Sequence, residues 1–208
     1  MATPKKRRYV SEAREQGAQA TRARILSAAK ALFTAHGIDG VTVAQIAQHA
    51  EVAAPTVYAA FKSKEGILRA LMEAAMFSDR FDVARKRLQG VNDSVEMVAL
   101  TAAISRSVYE GESRDLGLLR GASGFSPALR KLEEEFEHMR LEMQQARVEL
   151  LFEQGKAKPG LAIDEARRIM WMYTSRDIYR MLVQEAGWTA DRYQDWLRDA
   201  LLSALVGP

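Results

Sequence analysis

Between Val41 and Phe61 the chain carries two apolar stretches of about eight residues each, only a few residues apart. Helices that short do not persist alone in water. Any fold that holds them must brace one against the other and both against a longer neighbour. Thr42-Val43-Ala44-Gln45 has the form of a capping box, with Thr42 as N-cap, and Val41 and Ile46 occupy the staple positions. The helix that follows offers Val43, Ile46, Ala47 and Ala50 inward. A break at Glu51-Val52 leads into a second short helix over residues 54–60. The longer neighbour precedes them: Ile25, Ala28, Ala29, Leu32 and Phe33 form one apolar face, and Gly37 supplies its stop. Two short helices joined by a turn of three or four residues make a helix-turn-helix.

Charge agrees with a nucleic-acid partner for this segment. Residues 1–66 hold 10 Lys and Arg against 5 Asp and Glu, whereas residues 67–208 hold 20 against 22. The excess positive charge therefore sits beside the helix-turn-helix, where phosphate attraction needs it.

The run from Val52 to Glu65 resembles the signature of the tetracycline-repressor (TetR) family, with Thr42, Ile46, Ala47, Val52, Tyr58, Phe61, Lys64 and Glu65 in the family's slots. The detailed likeness covers residues 21–71. It implies a homodimeric transcriptional regulator, usually a repressor, released from double-stranded operator DNA by a small molecule. Carried over residue by residue, it implies DNA contacts from Arg22, Thr42, Ala53, Ala54, Pro55, Thr56, Tyr58, Ala59, Lys62 and Lys64. Among these, Tyr58 meets a phosphate or base edge and Lys64 holds a phosphate at a helix start. Phe61 packs inward.

Three departures weaken direct base reading. Ala53 replaces a Ser N-cap, at a cost of about 0.5–2 kcal/mol. Glu51 stands where Gly is common, so a positive φ there carries strain. Ala59 and Ala60 touch a thymine methyl at most and form no bidentate hydrogen bond. Phosphate contacts, DNA shape and the basic arm are expected to dominate affinity.

The expected fold is all-α, with about nine helices in three parts: a basic flexible arm over 1–20, the helix-turn-helix domain over 21–66, and a ligand-binding and dimerisation domain over 67–208. The arm opens on Pro4-Lys5-Lys6-Arg7-Arg8, and no apolar run follows, so it does not read as a secretory signal. Later helices are expected over 64–88, 95–109, 127–154, 163–185 and from Thr189 onward, with a short segment at 115–120 and a loop at 121–127. No Cys is present, which argues against disulfides and thiolate metal sites, and no 18-residue apolar run predicts a membrane span. A bacterial cytoplasmic location is expected.

The last two helices carry strong stripes. Met170, Tyr173, Met181, Tyr193, Trp196, Leu197, Leu201 and Leu205 are assigned to a dimer interface, in keeping with the four-helix bundle that the resemblance implies. A cavity for an unidentified small apolar or aromatic effector is expected among Met97, Ser107, Tyr109, Phe125, Met139, Met143, Arg147, Trp171, Thr174, Ser175 and Ile178. Methionines and aromatics with a few polar groups suit such a role. His36, His49 and His138 are scattered, and no nucleophile elbow or phosphate-binding Gly loop exists. No catalytic residue, metal or cofactor is expected. The second reading is a helical ligand-binding or interaction protein with a degenerate DNA reader.

Overall fold

Residues 4–77, 79–111 and 127–208 are described in a computed structural model of the chain. They are helical, apart from turns and an isolated antiparallel bridge between Ala157 and Val206. Contacts divide the chain into two units. One runs to Glu73 and includes the start of a later helix at 127–130; the other takes in 74–111 and 131–208.

In the amino-terminal unit, α1 spans Pro4–His36. The expected flexible arm over 1–20 is corrected here, because the chain is already helical from Pro4 and continues without a break into the apolar part. The composition accounts for this. Glu12, Ala13, Arg14, Glu15, Gln16, Ala18, Gln19 and Ala20 are mostly strong helix formers, and only Gly17 opposes them, by about 1 kcal/mol. Residues 14–20 are exposed.

Gly37, at φ 73°, returns its N–H to the Phe33 carbonyl oxygen at 2.9 Å and ends α1. α2 (Val43–His49) starts at the expected capping box, with both reciprocal bonds formed. α3 (Ala54–Phe61) starts at Ala53 without a side-chain cap, and Pro55 in its first turn needs no amide partner. α4 spans Lys64–Met76. Ile25, Ala29, Phe33, Ile46, Val57, Phe61, Ile67, Leu68 and Met72 are buried and form the interior of this unit.

The helix expected over 64–88 is two helices. α5 (Asp79–Lys86) has its own terminal charges, Asp79 and Asp82 at its start and Arg85 and Lys86 at its end, which suit the helix dipole. Its Phe81 and Ala84 pack with Ile104 in a separate small cluster. α6 (Ser94–Gly111) begins where Asp93 Oδ1 accepts from the Glu96 amide at 2.8 Å. α7 spans Pro127–Glu153. The segment expected at 115–120 and most of the loop at 121–127 lie outside the described residues.

The helix expected over 163–185 is also broken. α8 (Ile163–Tyr173) stops at Thr174, whose hydroxyl donates to the Met170 carbonyl oxygen at 2.7 Å. Ser175 caps a short helix α9 (Arg176–Tyr179), which widens into a π-turn over Arg180–Glu185. α10 (Ala190–Leu205) begins at Thr189 as expected. Val98, Val148, Leu151, Ala166, Met170, Tyr193, Leu197, Leu201 and Leu205 form one buried cluster from α6, α7, α8 and α10. Backbone bonds from Lys158 N–H to Leu205 O and from Gly207 N–H to Lys156 O, both 2.9 Å, tie the chain end to the turn after α7.

Candidate functional site

The amino-terminal unit presents α3 as its exposed helix. Val57 and Phe61 face inward, 1% and 5% exposed, while Tyr58 is 52% exposed. Ala53, Pro55, Ala59 and Lys62 are exposed on the outer side, and Ala54 and Thr56 are half-buried. That outer side is small and apolar around one tyrosine and one lysine.

Several of the assigned DNA contacts turn out to brace the unit. Arg22 Nη1 donates to the Ala60 carbonyl oxygen at 2.9 Å, and its guanidinium lies 4.2 Å from the centre of the Phe61 ring. This fixes the end of α3 against α1. Lys64 Nζ donates to the Ile38 carbonyl oxygen at 2.9 Å, so its ammonium is directed at the loop after α1. The Thr42 hydroxyl is shared with the Gln45 side chain and amide. Lys62 donates to the Ala59 carbonyl oxygen at 3.4 Å and stays exposed. Arg22 thus holds the end of α3, Thr42 the start of α2, and Lys64 ties the start of α4 to the loop after α1.

Two turns hold α3 at either end through left-handed residues. Glu51 has φ 53°, the strain expected for a residue in a Gly position. Lys62, at φ 68°, is a second such residue that sequence reasoning missed. Its cause lies one turn further on. A Cβ added at Gly66 would stand 1.9 Å from the Phe61 carbonyl oxygen. α3 and α4 thus approach within a distance that only glycine permits, and the turn between them must reverse sharply. Ser63 caps α4, accepting from the Gly66 amide at 3.1 Å.

In the carboxyl-terminal unit some of the assigned cavity residues meet and others do not. Tyr109 Oη donates to the Thr174 carbonyl oxygen at 2.7 Å, and Thr174 is buried. Ser107 is buried and donates to the Ile104 carbonyl oxygen at 2.7 Å. Arg147 is buried, Ile178 packs at the edge of the core, and Met97, Met139 and Ser175 are half-buried. Met143 and Trp171 are corrections: they are 43% and 36% exposed, and Arg140 covers the Trp171 ring at 5.2 Å. Phe125 lies outside the described residues. Sequence reasoning missed Arg140 and Gln144, both of which donate to Thr174 Oγ1, at 2.7 and 2.8 Å. Their signal was available: they are polar residues in register with the apolar stripe of α7.

The assigned dimer residues need correction too. Met170, Tyr193, Leu197, Leu201 and Leu205 are fully buried within one chain, and Tyr173 and Trp196 pack on each other at 6.1 Å. Of that set, Met181 is exposed, at 42%. The outer side of α8 instead carries Ile163 and Met172, with Ile169 half-buried. Ala162, Asp164, Glu165, Arg168, Ile169 and Met172 line a shallow apolar depression there. Among the described residues no group of side chains is arranged to hold a metal ion, and no helix is long and apolar enough to cross a membrane.

A three-helix unit with an exposed third helix, braced by buried aromatics, is a DNA-binding architecture. Residues 25–71 match the family model of bacterial regulatory proteins, tetR family. The amino-terminal unit therefore carries a domain of that family. Solved structures share its fold. FadR of Bacillus subtilis, solved with stearoyl-CoA, is 21% identical with a TM-score of 0.67, covering 87% of this chain and 97% of its own. FadR of Bacillus halodurans, a fatty acid degradation regulator, is 20% identical with a TM-score of 0.66, covering 87% and 94%. NalD of Pseudomonas aeruginosa, a repressor of a multidrug efflux pump, is 18% identical with a TM-score of 0.68, covering 91% and 98%. No curated protein matches the chain in sequence.

Proposed function

We propose that the protein is a homodimeric repressor that binds a two-fold symmetric operator and leaves it when a small molecule enters the carboxyl-terminal unit. The observation that carries the DNA part is the division of α3, with Val57 and Phe61 buried and Pro55, Tyr58, Ala59 and Lys62 exposed. Tyr58 and Lys62 serve the phosphates, and Ala59 and Pro55 allow close approach to the groove floor. Lys64 and Arg22 act by holding α3 in place.

Self-association is assigned to the exposed side of α8 and the following turn, through Ile169, Met172 and Met181. These replace the buried residues of α10 in that role. A two-fold dimer presents two recognition helices to half-sites about 34–36 Å apart or at a related spacing. The effector favours a dimer whose helices no longer match that spacing, with α4 as the connecting element. FadR of Bacillus subtilis was solved in complex with stearoyl-CoA, which supports a ligand-responsive reading for a protein of this fold.

Selection of bound duplexes from random DNA tests the proposal. A symmetric consensus with two half-sites is expected. An asymmetric single site contradicts the dimer, and no enrichment at low salt removes the regulator.

A further inference from the structure

Pro55, Tyr58, Ala59 and Lys62 stand at i, i+3, i+4 and i+7 of α3, and every one of them is exposed. Ala53, at the N-cap, is exposed as well, whereas Val57 and Phe61 are buried on the opposite side. In a helix-turn-helix the second helix lies in the major groove and its N-terminal residues meet the base edges, while the first helix crosses the backbone. In this chain the base-facing positions are therefore Ala53, Pro55 and, one turn on, Ala59.

These positions have little to offer a base by hydrogen bonding. None of the three side chains carries a donor or an acceptor. Pro55 also lacks an amide proton, and the Thr56 amide is given to the Ala53 carbonyl oxygen at 2.9 Å. Thr56 itself lies off the exposed row and is half-buried. Arg22 and Lys64 are committed to the Ala60 and Ile38 carbonyl oxygens, both at 2.9 Å. Lys62 closes the helix at φ 68°, and its ammonium donates back to the Ala59 carbonyl oxygen at 3.4 Å. What α3 presents over its first two turns is small apolar surface beside the Tyr58 ring. One feature of a base edge meets such surface favourably. It is the C5-methyl group, which thymine displays in the major groove and the other three bases lack.

We propose that the operator is discriminated through pyrimidine C5-methyl groups, with Ala53, Pro55 and Ala59 as the specificity-determining residues. Phosphate contacts supply affinity and position, and the methyl contacts select sequence. Each half-site carries thymines where the start of α3 meets the groove. These residues form no hydrogen bond to the rest of the base edge, so 5-methylcytosine, which presents the same methyl group at the same place, substitutes for thymine there. This deepens the DNA-binding reading above and rests on it.

The test uses the full chain and an operator selected from random DNA. Each thymine of one half-site is replaced in turn by uracil, which removes the methyl group and keeps the base pair. Uracil is expected to weaken binding about fourfold at each thymine beneath the start of α3, the worth of one buried methyl group, and to have no effect in the flanks. At those same positions a cytosine·guanine pair is expected to bind more weakly than thymine·adenine, and 5-methylcytosine to restore most of the loss. Ala59→Gly is expected to abolish the uracil penalty at one position and leave it at the others. Ala59→Gln, which keeps helix propensity, serves if the glycine variant does not fold. The proposal is overturned if uracil is tolerated at every thymine, if the loss is spread evenly over half-sites and flanks as DNA shape dictates, or if 5-methylcytosine binds no better than cytosine. Each of these results leaves DNA binding itself intact. Failure to bind any duplex in dilute buffer removes the DNA reading, and this proposal with it.

Discussion

Gly66 decides more of the site than any charged residue near it. Its position lies 1.9 Å, measured from an added Cβ, from the Phe61 carbonyl oxygen. A methyl group there must push α3 away from α4, since backbone cannot rotate aside as a side-chain tip does. Gly66→Ala is expected to destabilise the protein by about 1–3 kcal/mol and to weaken DNA binding beyond that loss. Chemical denaturation alongside a gel shift checks this, and an unchanged midpoint would show that the turn has room. Glu51 was legible in the sequence as a strained position because turn chemistry is local. Arg22 and Lys64 were not. Their acceptors, Ala60 and Ile38, lie 38 and 26 residues away, and a basic residue near a DNA reader is read as a phosphate contact unless the long-range partner is visible.

Among the elements, α3 shows how separable folding and recognition are. Its inner residues, Val57 and Phe61, stabilise the unit, and Tyr58 contributes little burial. Tyr58→Ala should change stability by no more than about 0.5 kcal/mol, the usual range for surface substitutions, while operator affinity falls at least severalfold. Melting and binding curves on one preparation check the separation; a drop in melting temperature that matches the loss of binding would place Tyr58 in the core instead. The capping box of α2 and the start of α10 at Thr189 were legible because caps use residues within a turn of one another. The faces of α8 were not. Met170 is fully buried and its neighbours Trp171 and Met172 are exposed, and helical periodicity alone does not say which of two apolar faces meets the interior. The break at Thr174 was hidden for a similar reason: its hydroxyl receives Arg140 and Gln144 from a different helix.

At the scale of the whole molecule, the buried cluster of the carboxyl-terminal unit makes a pH signature. Tyr193 Oη lies 3.2 Å from Ser105 Oγ, joining α10 to α6. Burial raises its pKa from 10.0 to about 12, partly offset by the Ser105 hydrogen bond. The folded state thus holds the phenolic proton more tightly than the unfolded chain. The resulting stability is fully present below pH ~10 and is lost as pH rises toward ~12, by about 2–3 kcal/mol. Tyr193→Phe should remove that slope, as thermal melts across this range would show; a slope that persists belongs to another group. Fold class, the helix-turn-helix and the terminal stripes could all be read from the sequence. Which apolar residues cover the core could not, because residues that cover a core and residues that would meet a partner obey the same spacing.

The central claim is that α3 enters a DNA groove and that phosphate contacts supply most of its affinity. Equilibrium binding of the purified protein to a selected operator, titrated with salt, tests it most directly. A plot of log K against log salt is expected to fall steeply, with affinity decreasing by about a hundredfold or more between roughly 50 and 200 mM salt. A flat plot, or no binding in dilute buffer, would contradict the claim.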